Sequence, residues 1–305
     1  VATNVFLSPQ LIAQRALANL YPSLVMVPLV YTDVSSQFAA QKIGNTINIR
    51  KPTTFLANTF DNTSGIVVQA ANETAIPVTL NTIADVSFAV TTEQLTLDII
   101  NFDEQLLTPA CMAIAEKVDQ DILAMRSGVT QTVGTTTNYL WNTPEVLIDG
   151  GRVLDQANVP PTMRHTVTGP ATKAQWLNSQ DLKYVLNSGT SDDLRAGSLG
   201  ASLFGSDIFV TTNITSAPVD TAAGLPTTEV GVMFHETAFC FASAPLELAP
   251  GSFASVQTYN GLSIRVAYQY DITKKQFICS LDTLYGTKVL DPTRAVLLQG
   301  ALTTS

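Results

Sequence analysis

The sequence predicts an α+β protein, on three observations. Apolar residues alternate with polar ones over 42–52 and again over 74–91, they recur at helical spacing over 109–126, and two long apolar runs face each other across a turn within 261–286. Ahead of all three, residues 8–40 read as an extended arm with a short helix around "PQLIAQRALANL". In "KIGNTINIRKP", Ile43, Ile47 and Ile49 share one parity, the mark of a strand buried on one face. The stretch 74–91 holds two such runs, Ile76, Val78 and Leu80, then Val86, Phe88 and Val90, with a bulge or bend expected between them. Between the strands lies "TTFLANTFDNTSGIVVQAANE", rich in Thr, Asn, Ala and Gly, with Phe55 and Phe60 in exposed-looking positions. It reads as a two-stranded excursion turning near Asp61–Gly65. An isolated hairpin is marginal in water, so this one needs a surface to lie on.

Thr108 before Pro109 predicts an N-cap followed by proline at the first helical position, with "NFDEQLL" as a separate helical turn ahead and a kink between. From Pro109 to Arg126 the helix would span about 27 Å. Cys111, Ile114, Val118, Ile122 and Met125 form its apolar stripe. "ACMAIA" at 110–115 is apolar on every side, whereas "EKVDQD" beyond it has a polar face, so the first half is expected to be covered all round.

The remainder reads as α/β. "TPEVLIDGGRVLDQANVP" predicts a helix capped by Thr143, "MRHTVTG" a short strand, "PATKAQWLN" a second helix and "SDIFVTTNI" another strand after a Gly/Ser-rich connection at 187–205. A loop rich in Pro, Ala and Thr leads into "GVMFHETAFCFAS", read as a strand. The hairpin "GLSIRVAYQYD"–"KQFICSLDTLYG" turns at "DITKK", and "RAVLLQ" is a last short strand. No internal repeat is visible.

Composition narrows the class. Charged residues are 13% of the 305, against about 25% in ordinary soluble chains, while hydrophobic residues are 46%. Such a chain is short of solvated surface, which fits either a membrane protein or a subunit hiding its surface against copies of itself. "LANLYPSLVMVPLVY" at 17–31 is too short to span a bilayer and is broken by Pro22 and Pro28, so the second reading stands. No signal pattern opens the chain, and its start at Val1 without methionine leaves room for processing. Cys111, Cys240 and Cys279 are odd in number, lack C-x-x-C spacing and have apolar neighbours, so buried reduced thiols in a cytoplasmic setting are expected. The net charge of −9 and 16 scattered basic residues argue against sequence-specific nucleic-acid binding. They suit a surface that stays near nucleic acid without adhering to it.

Chemistry is scarce. "HETAF" opens like the H-E-x-x-H zinc helix, but Phe239 stands where the second histidine must be, and His165 lies far off in sequence. "GASLFG" offers Ser202 without the second glycine of a nucleophile elbow, and Gly197, Gly200 and Gly205 match no phosphate-binding pattern. Asp119 and Asp121 are two apart on a helix and do not face each other, and Asp192 and Asp193 fall in a loop. No catalytic, cofactor-binding or metal site is expected, no cofactor is implied, and the chain reads as a non-enzyme.

Three stretches carry a resemblance. "TPACMAIAEKVDQDIL" at 108–123, with Glu116, Asp119 and Ile122 in register, "LRAGSLGASLFGSDIFVTTNI" at 194–214 and "SLDTLYGTKVLDPTRAVLL" at 280–298 resemble, in this order and spacing, the major capsid proteins of tailed double-stranded DNA bacteriophages. The resemblance implies the Hong Kong 97-type capsid fold and covers the chain from about residue 8 onward. In that fold 1–41 would be an N-terminal arm and short helix, 42–92 the extended β-hairpin loop, and 93–135 the peripheral domain with its spine helix. Residues 136–260 would be the α/β axial domain, 261–290 the peripheral-domain hairpin, and 291–305 the last axial strand and tail. It also implies self-assembly as pentamers and hexamers into an icosahedral head enclosing packaged DNA, in a virion assembled in host cytoplasm. Portal and scaffolding proteins, and decoration proteins, would be partners, with no membrane. An encapsulin-type compartment shell, which shares the fold, stays open as an alternative, and an α/β enzyme is the remaining one. On this resemblance Arg50, Lys51, Phe55, Phe60, Asp61 and Glu73 are the candidate inter-subunit contacts, because the four charges punctuate an otherwise uncharged loop.

Overall fold

The computed structural model describes residues 9–35, 44–51, 55, 57–60, 62, 63, 65, 66, 68–71, 73–97, 102–135, 139–179, 202–214, 229–248 and 253–299. The alternating stretches form β1 (Thr46–Lys51) and β2 (Thr74–Thr79), an antiparallel ladder running from Thr46↔Thr79 to Lys51↔Thr74. Past Leu80 the chain enters β3 (Thr82–Thr91) and leaves the ladder for another sheet, so the bend expected after Leu80 is a change of sheet. Along β3, Ala84 and Val90 are buried while Asp85, Ser87 and Ala89 face out, the alternation of a strand packed on one side.

The second sheet has the order β10–β11–β12–β3, from β10 (Phe253–Tyr259), β11 (Leu262–Asp271) and β12 (Gln276–Val289), and β9 (Phe239–Ala244) pairs with the far end of β12. Asn260 (φ 46°) and Gly261 (φ 79°) make the two-residue turn between β10 and β11. Both take the positive φ that a twist-matched hairpin turn demands. The third sheet is mixed, in the order β4–β13–β8–β5–β7–β6. Its strands are β4 (Thr132–Val133), β5 (Arg164–Thr168), β6 (Ser202–Leu203), β7 (Ser206–Val210), β8 (Gly231–His235) and β13 (Ala295–Leu298).

Helix α1 (Pro9–Ser23) packs beside α3 (Thr108–Ala124), and α2 (Thr92–Leu97) follows β3 directly. On the six-stranded sheet, α4 (Val146–Gln156) and α5 (Pro170–Leu177) bury Leu147, Leu154 and Trp176 against Met233, Val296 and Leu298. Other residues of that sheet, Val167, Val232, Phe234 and Ala295, join a second, larger core with Ile114, Val118 and Ile122 of α3 and with Ile264, Val266 and Leu281 of the five-stranded sheet. Helix α3 thus shares one core with both sheets.

Three expectations are corrected. Thr108 is not an N-cap, because Leu107 before it is already helical and a π-helical turn, Asp103–Leu107, leads straight in. A proline lacks the N–H of a regular turn and its ring crowds the preceding carbonyls, and the widened turn relieves both. Thr108 Oγ1 instead accepts from Asn19 Nδ2 at 3.1 Å, tying α3 to α1. Thr143 does not cap α4 either: its hydroxyl donates to the Leu140 carbonyl at 3.0 Å in a turn, and the helix begins at Val146. "GVMFHETAFCFAS" is two strands in two sheets, parted by a single turn at Glu236–Ala238. Every residue of β8 and β9 is buried, so no alternation marks where one ends. By pairing, β9 and β10 share the five-stranded sheet with β11 and β12, and β4 lies in the six-stranded sheet. Residues 187–201, with Asp192 and Asp193, lie outside the described residues.

Candidate assembly surfaces

The two aspartates of α3 point different ways, as a spacing of two on a helix requires. Asp119 has no exposed area and its carboxylate accepts from the backbone N–H groups of Val25 (2.9 Å) and Met26 (3.1 Å). Burial pushes its carboxyl up to about 6, against the lowering effect of those two N–H groups and the Asn213 side chain. Asp121 accepts instead from the Tyr285 hydroxyl on β12 at 2.6 Å and from Lys117 at 2.6 Å. Burial, then the Asp121 carboxylate, raises the Tyr285 phenol, so it stays a donor. One helix is thereby tied to the segment after α1 on one side and to the five-stranded sheet on another. Among the described residues, the all-round cover expected for 110–115 is not made. Cys111, Ile114 and Ala115 are buried, but Met112 is 55% exposed and Ala113 faces out beside it.

The β1–β2 ladder projects an apolar tip. Phe55, Phe60, Ile66 and Val68 are all more than half exposed. Three of the four candidate charges are engaged inside the chain. Lys51 Nζ sits 2.6 Å from Asp291 at the end of the ladder from which the loop departs, and Arg50 lies 3.9 Å from Glu73 with both side chains largely exposed. Burial alone would raise the Asp291 carboxyl, but hydrogen bonds from Lys51 and Thr293 together hold it below the usual carboxylate range. Asp61 lies outside the described residues. The structure thus brings Lys51 to Asp291, which spacing along the chain did not suggest, and leaves Phe55 and Phe60 uncovered.

Groups able to do chemistry are satisfied or shut away. Burial pushes the thiols of Cys111, Cys240 and Cys279 up to about 12, so they stay protonated. His235 Nδ1 accepts from the Thr237 N–H at 3.2 Å, and burial followed by Arg294 and Arg164 lowers its pKa. His165 lies 3.7 Å from Asp207, beyond hydrogen-bond range, and burial lowers its pKa more than Asp207 raises it. Glu229, which sequence reasoning missed, fills the N-terminus of α5 by accepting from the N–H groups of Ala171 (3.0 Å) and Thr172 (2.9 Å). Among the described residues no three His, Cys, Asp or Glu side chains are grouped to hold a metal, and no helix is long and apolar enough to cross a membrane.

What this arrangement can do is present surface. A ladder held at its loop end by an ion pair leads into bare aromatic and aliphatic side chains, on a body braced by one long helix. Solved structures share the fold. A structure from Mycobacterium phage Che8 superposes with a TM-score of 0.68 over 90% of each chain at 19% identity. The capsid structure of cyanophage P-SCSP1u matches at 0.60 over 85% of this chain and 84% of its own, at 12% identity. The chain has the phage capsid protein fold. A virus-like particle from Pyrococcus furiosus matches more loosely, with a TM-score of 0.51 over 94% of this chain and 96% of that one at 12% identity. At such identities the likeness is one of fold, and no protein-family model or curated protein sequence matches the chain.

Proposed function

We propose that this chain is a structural shell protein, the major capsid protein of a tailed bacteriophage, which assembles as pentamers and hexamers into an icosahedral head around packaged double-stranded DNA. The observation that carries the reading is the capsid fold, matched over nine-tenths of both chains by the Che8 structure. The uncovered tip of the ladder and the exposed Met112 support it, because both need a neighbour to leave water. Apolar area removed from water contributes about 25 cal/mol per Å², so modest contacts repeated around every subunit add up to a stable lattice. Portal and scaffolding proteins, and decoration proteins, are the partners such a head takes, and DNA lies against its inner face without being read. The head is built in host cytoplasm and becomes the virion capsid.

Negative-stain microscopy of the purified full chain tests this. Uniform closed shells are expected, and deleting residues 53–75 should leave folded, unassembled subunits. Closed shells from the deleted chain would remove the ladder from the mechanism. The match to the Pyrococcus furiosus virus-like particle favours a second reading, an encapsulin-type compartment shell. The contents of shells from the native source separate the two: nuclease-protected DNA of genome length supports the head, and protein cargo supports the compartment.

A further inference from the structure

The ladder is fastened to its own body in two unlike ways. Its pairs run from Thr46↔Thr79 at the root to Lys51↔Thr74 at the loop end, so Ile47, Ile49 and Lys51 share one face of β1, opposite Val78, Ile76 and Thr74 of β2. That face lies on the body. At the root Ile47 and Val78 are buried with Val34 and with Cys240 and Ala242 of β9. One step along, Ile49 is only partly buried on the same cluster. The next inward position calls for a third apolar residue and holds Lys51, whose Nζ meets Asp291 Oδ2 at 2.6 Å. Among the described residues this is the one ion pair between ladder and body.

The pair is built so that it can part. The Lys51 side chain is 49% exposed, so its ammonium returns to water directly. Asp291 is the deeper partner, its side chain 12% exposed, and a carboxylate at that depth is costly to strand alone. It is not stranded. Its Oδ1 accepts from the Thr293 N–H (3.2 Å) and hydroxyl (2.7 Å) at the start of the Pro292–Arg294 turn, and Arg294 Nε lies 3.7 Å from Oδ2. Arg294 is itself anchored on Thr237 Oγ1 at 2.6 Å, so a positive charge stays beside Asp291 when Lys51 leaves. Both states of the contact are satisfied. A half-exposed pair of this kind is a weak fastening that thermal motion opens, whereas the apolar root is not exposed to water at all.

We infer that Lys51 and Asp291 form a latch within the subunit. Closed, it holds the loop end of the ladder down on the turn before β13. Open, it lets that end lift about the apolar root at Ile47 and Val78, which re-aims the tip that carries Phe55 and Phe60. The direction in which the subunit points its apolar tip is then set by one ion pair with its own body. The latch is a property of the single chain. Its use rests on the shell reading above, in which a tip that can be held or freed reaches neighbours at more than one angle.

The test measures a distance in dissociated subunits of the full chain. Ala75→Cys, near the loop end of β2, and Ala89→Cys, on β3 of the body, are both exposed and carry spin labels, while the native thiols are buried and stay unlabelled. Pulsed electron paramagnetic resonance should give a narrow distance distribution with the latch intact. Lys51→Ala should broaden it about twofold or more, and so should Asp291→Asn, which keeps an acceptor for Thr293. Lys51→Arg, which keeps the charge, should leave it narrow. The denaturation midpoint should hold in all three, because the root is untouched. An unchanged width in Lys51→Ala would overturn the inference, since the apolar root would then hold the ladder unaided. A wide distribution in the unaltered pair, or in Lys51→Arg, would overturn it too, and so would broadening that comes with a lowered midpoint, which marks a ladder that has melted. None of these measurements needs assembly. A chain that forms no shells would therefore remove the proposed use and leave the latch standing or falling on its own distances.

Discussion

Asp119 is a carboxylate with no exposed area whose charge is met by the N–H groups of Val25 and Met26 and by the Asn213 side chain. Replacing it with alanine leaves two buried donors unpaired where the segment after α1 meets α3. Asp119→Ala should therefore destabilise the dissociated subunit by about 2–4 kcal/mol in urea unfolding, and a loss within error of zero would mean the segment is held otherwise. The carboxyl also has a definite sign of pH dependence. With its pKa raised from 3.8 to about 6 in the folded state, the native chain binds a proton that the unfolded chain has released. The site's contribution is thus most favourable below about 4 and is lost as pH rises through about 6. The stability of the wild type relative to Asp119→Asn should increase from pH 7 to pH 5, and a difference that shrinks on acidification would contradict the assignment. The sequence showed that Asp119 and Asp121 face apart. Their partners, 94 and 164 residues away, were not legible, because pairing at that distance depends on the finished packing.

At the scale of elements, the crossing of β2 over β12 is the tightest joint between the ladder and the body. Gly286 lies under Thr79, and a Cβ at 286 would collide with the Thr79 carbonyl and with Leu80 Cα, both backbone and unable to swing aside. Gly286→Ala should cost roughly 1–3 kcal/mol, read as a lower denaturation midpoint of dissociated subunits, and an unchanged midpoint would show that the ladder does not rest there. Elements buried on one face could be read from alternation alone, as β1, β2 and β3 were, and the β11–β12 hairpin was plain from two long runs around one turn. Elements buried on both faces could not, and so β8 and β9 merged into one run across Glu236–Ala238. β10 had a local signal that went unused: Asn260-Gly261 is the preferred pair for a two-residue hairpin turn, and a strand before it follows from that pair. The helix starts failed for a different reason. Thr108-Pro109 and Thr143-Pro144 carry the local chemistry of a cap, yet helical backbone precedes the first and a turn occupies the second. Among the candidate contacts, the four charges were chosen for being rare in the loop, and rarity does not tell an ion pair within the chain, as Lys51–Asp291 is, from one between chains.

For the whole molecule, charge is scarce, and part of it is spent inside the subunit. Charged residues are 13% of the chain, and Lys51, Arg152, Arg164 and Arg265 all reach a carboxylate of their own chain within 3 Å. Large apolar side chains stay uncovered among the described residues: Phe55, Phe60, Ile66 and Val68 beyond the ladder, Met112 on α3, Ile148 on α4 and Phe204 in the β6–β7 turn. Contacts between subunits should then be driven by apolar burial rather than by ion pairs across the boundary, and the two respond oppositely to solvent. Raising salt from about 0.1 M to about 1 M shortens the screening length from about 10 Å to about 3 Å and would loosen a lattice held by surface charge. Apolar association is untouched by screening and weakens on cooling, because near room temperature its driving force is entropic. The concentration of free subunit in equilibrium with shells, measured by sedimentation, should hold or fall with added NaCl and should rise on cooling towards about 0 °C. A free-subunit concentration that climbs steeply with salt would place the binding energy in charge pairs, and the exposed charges Arg50 and Glu73 would then be the first to substitute.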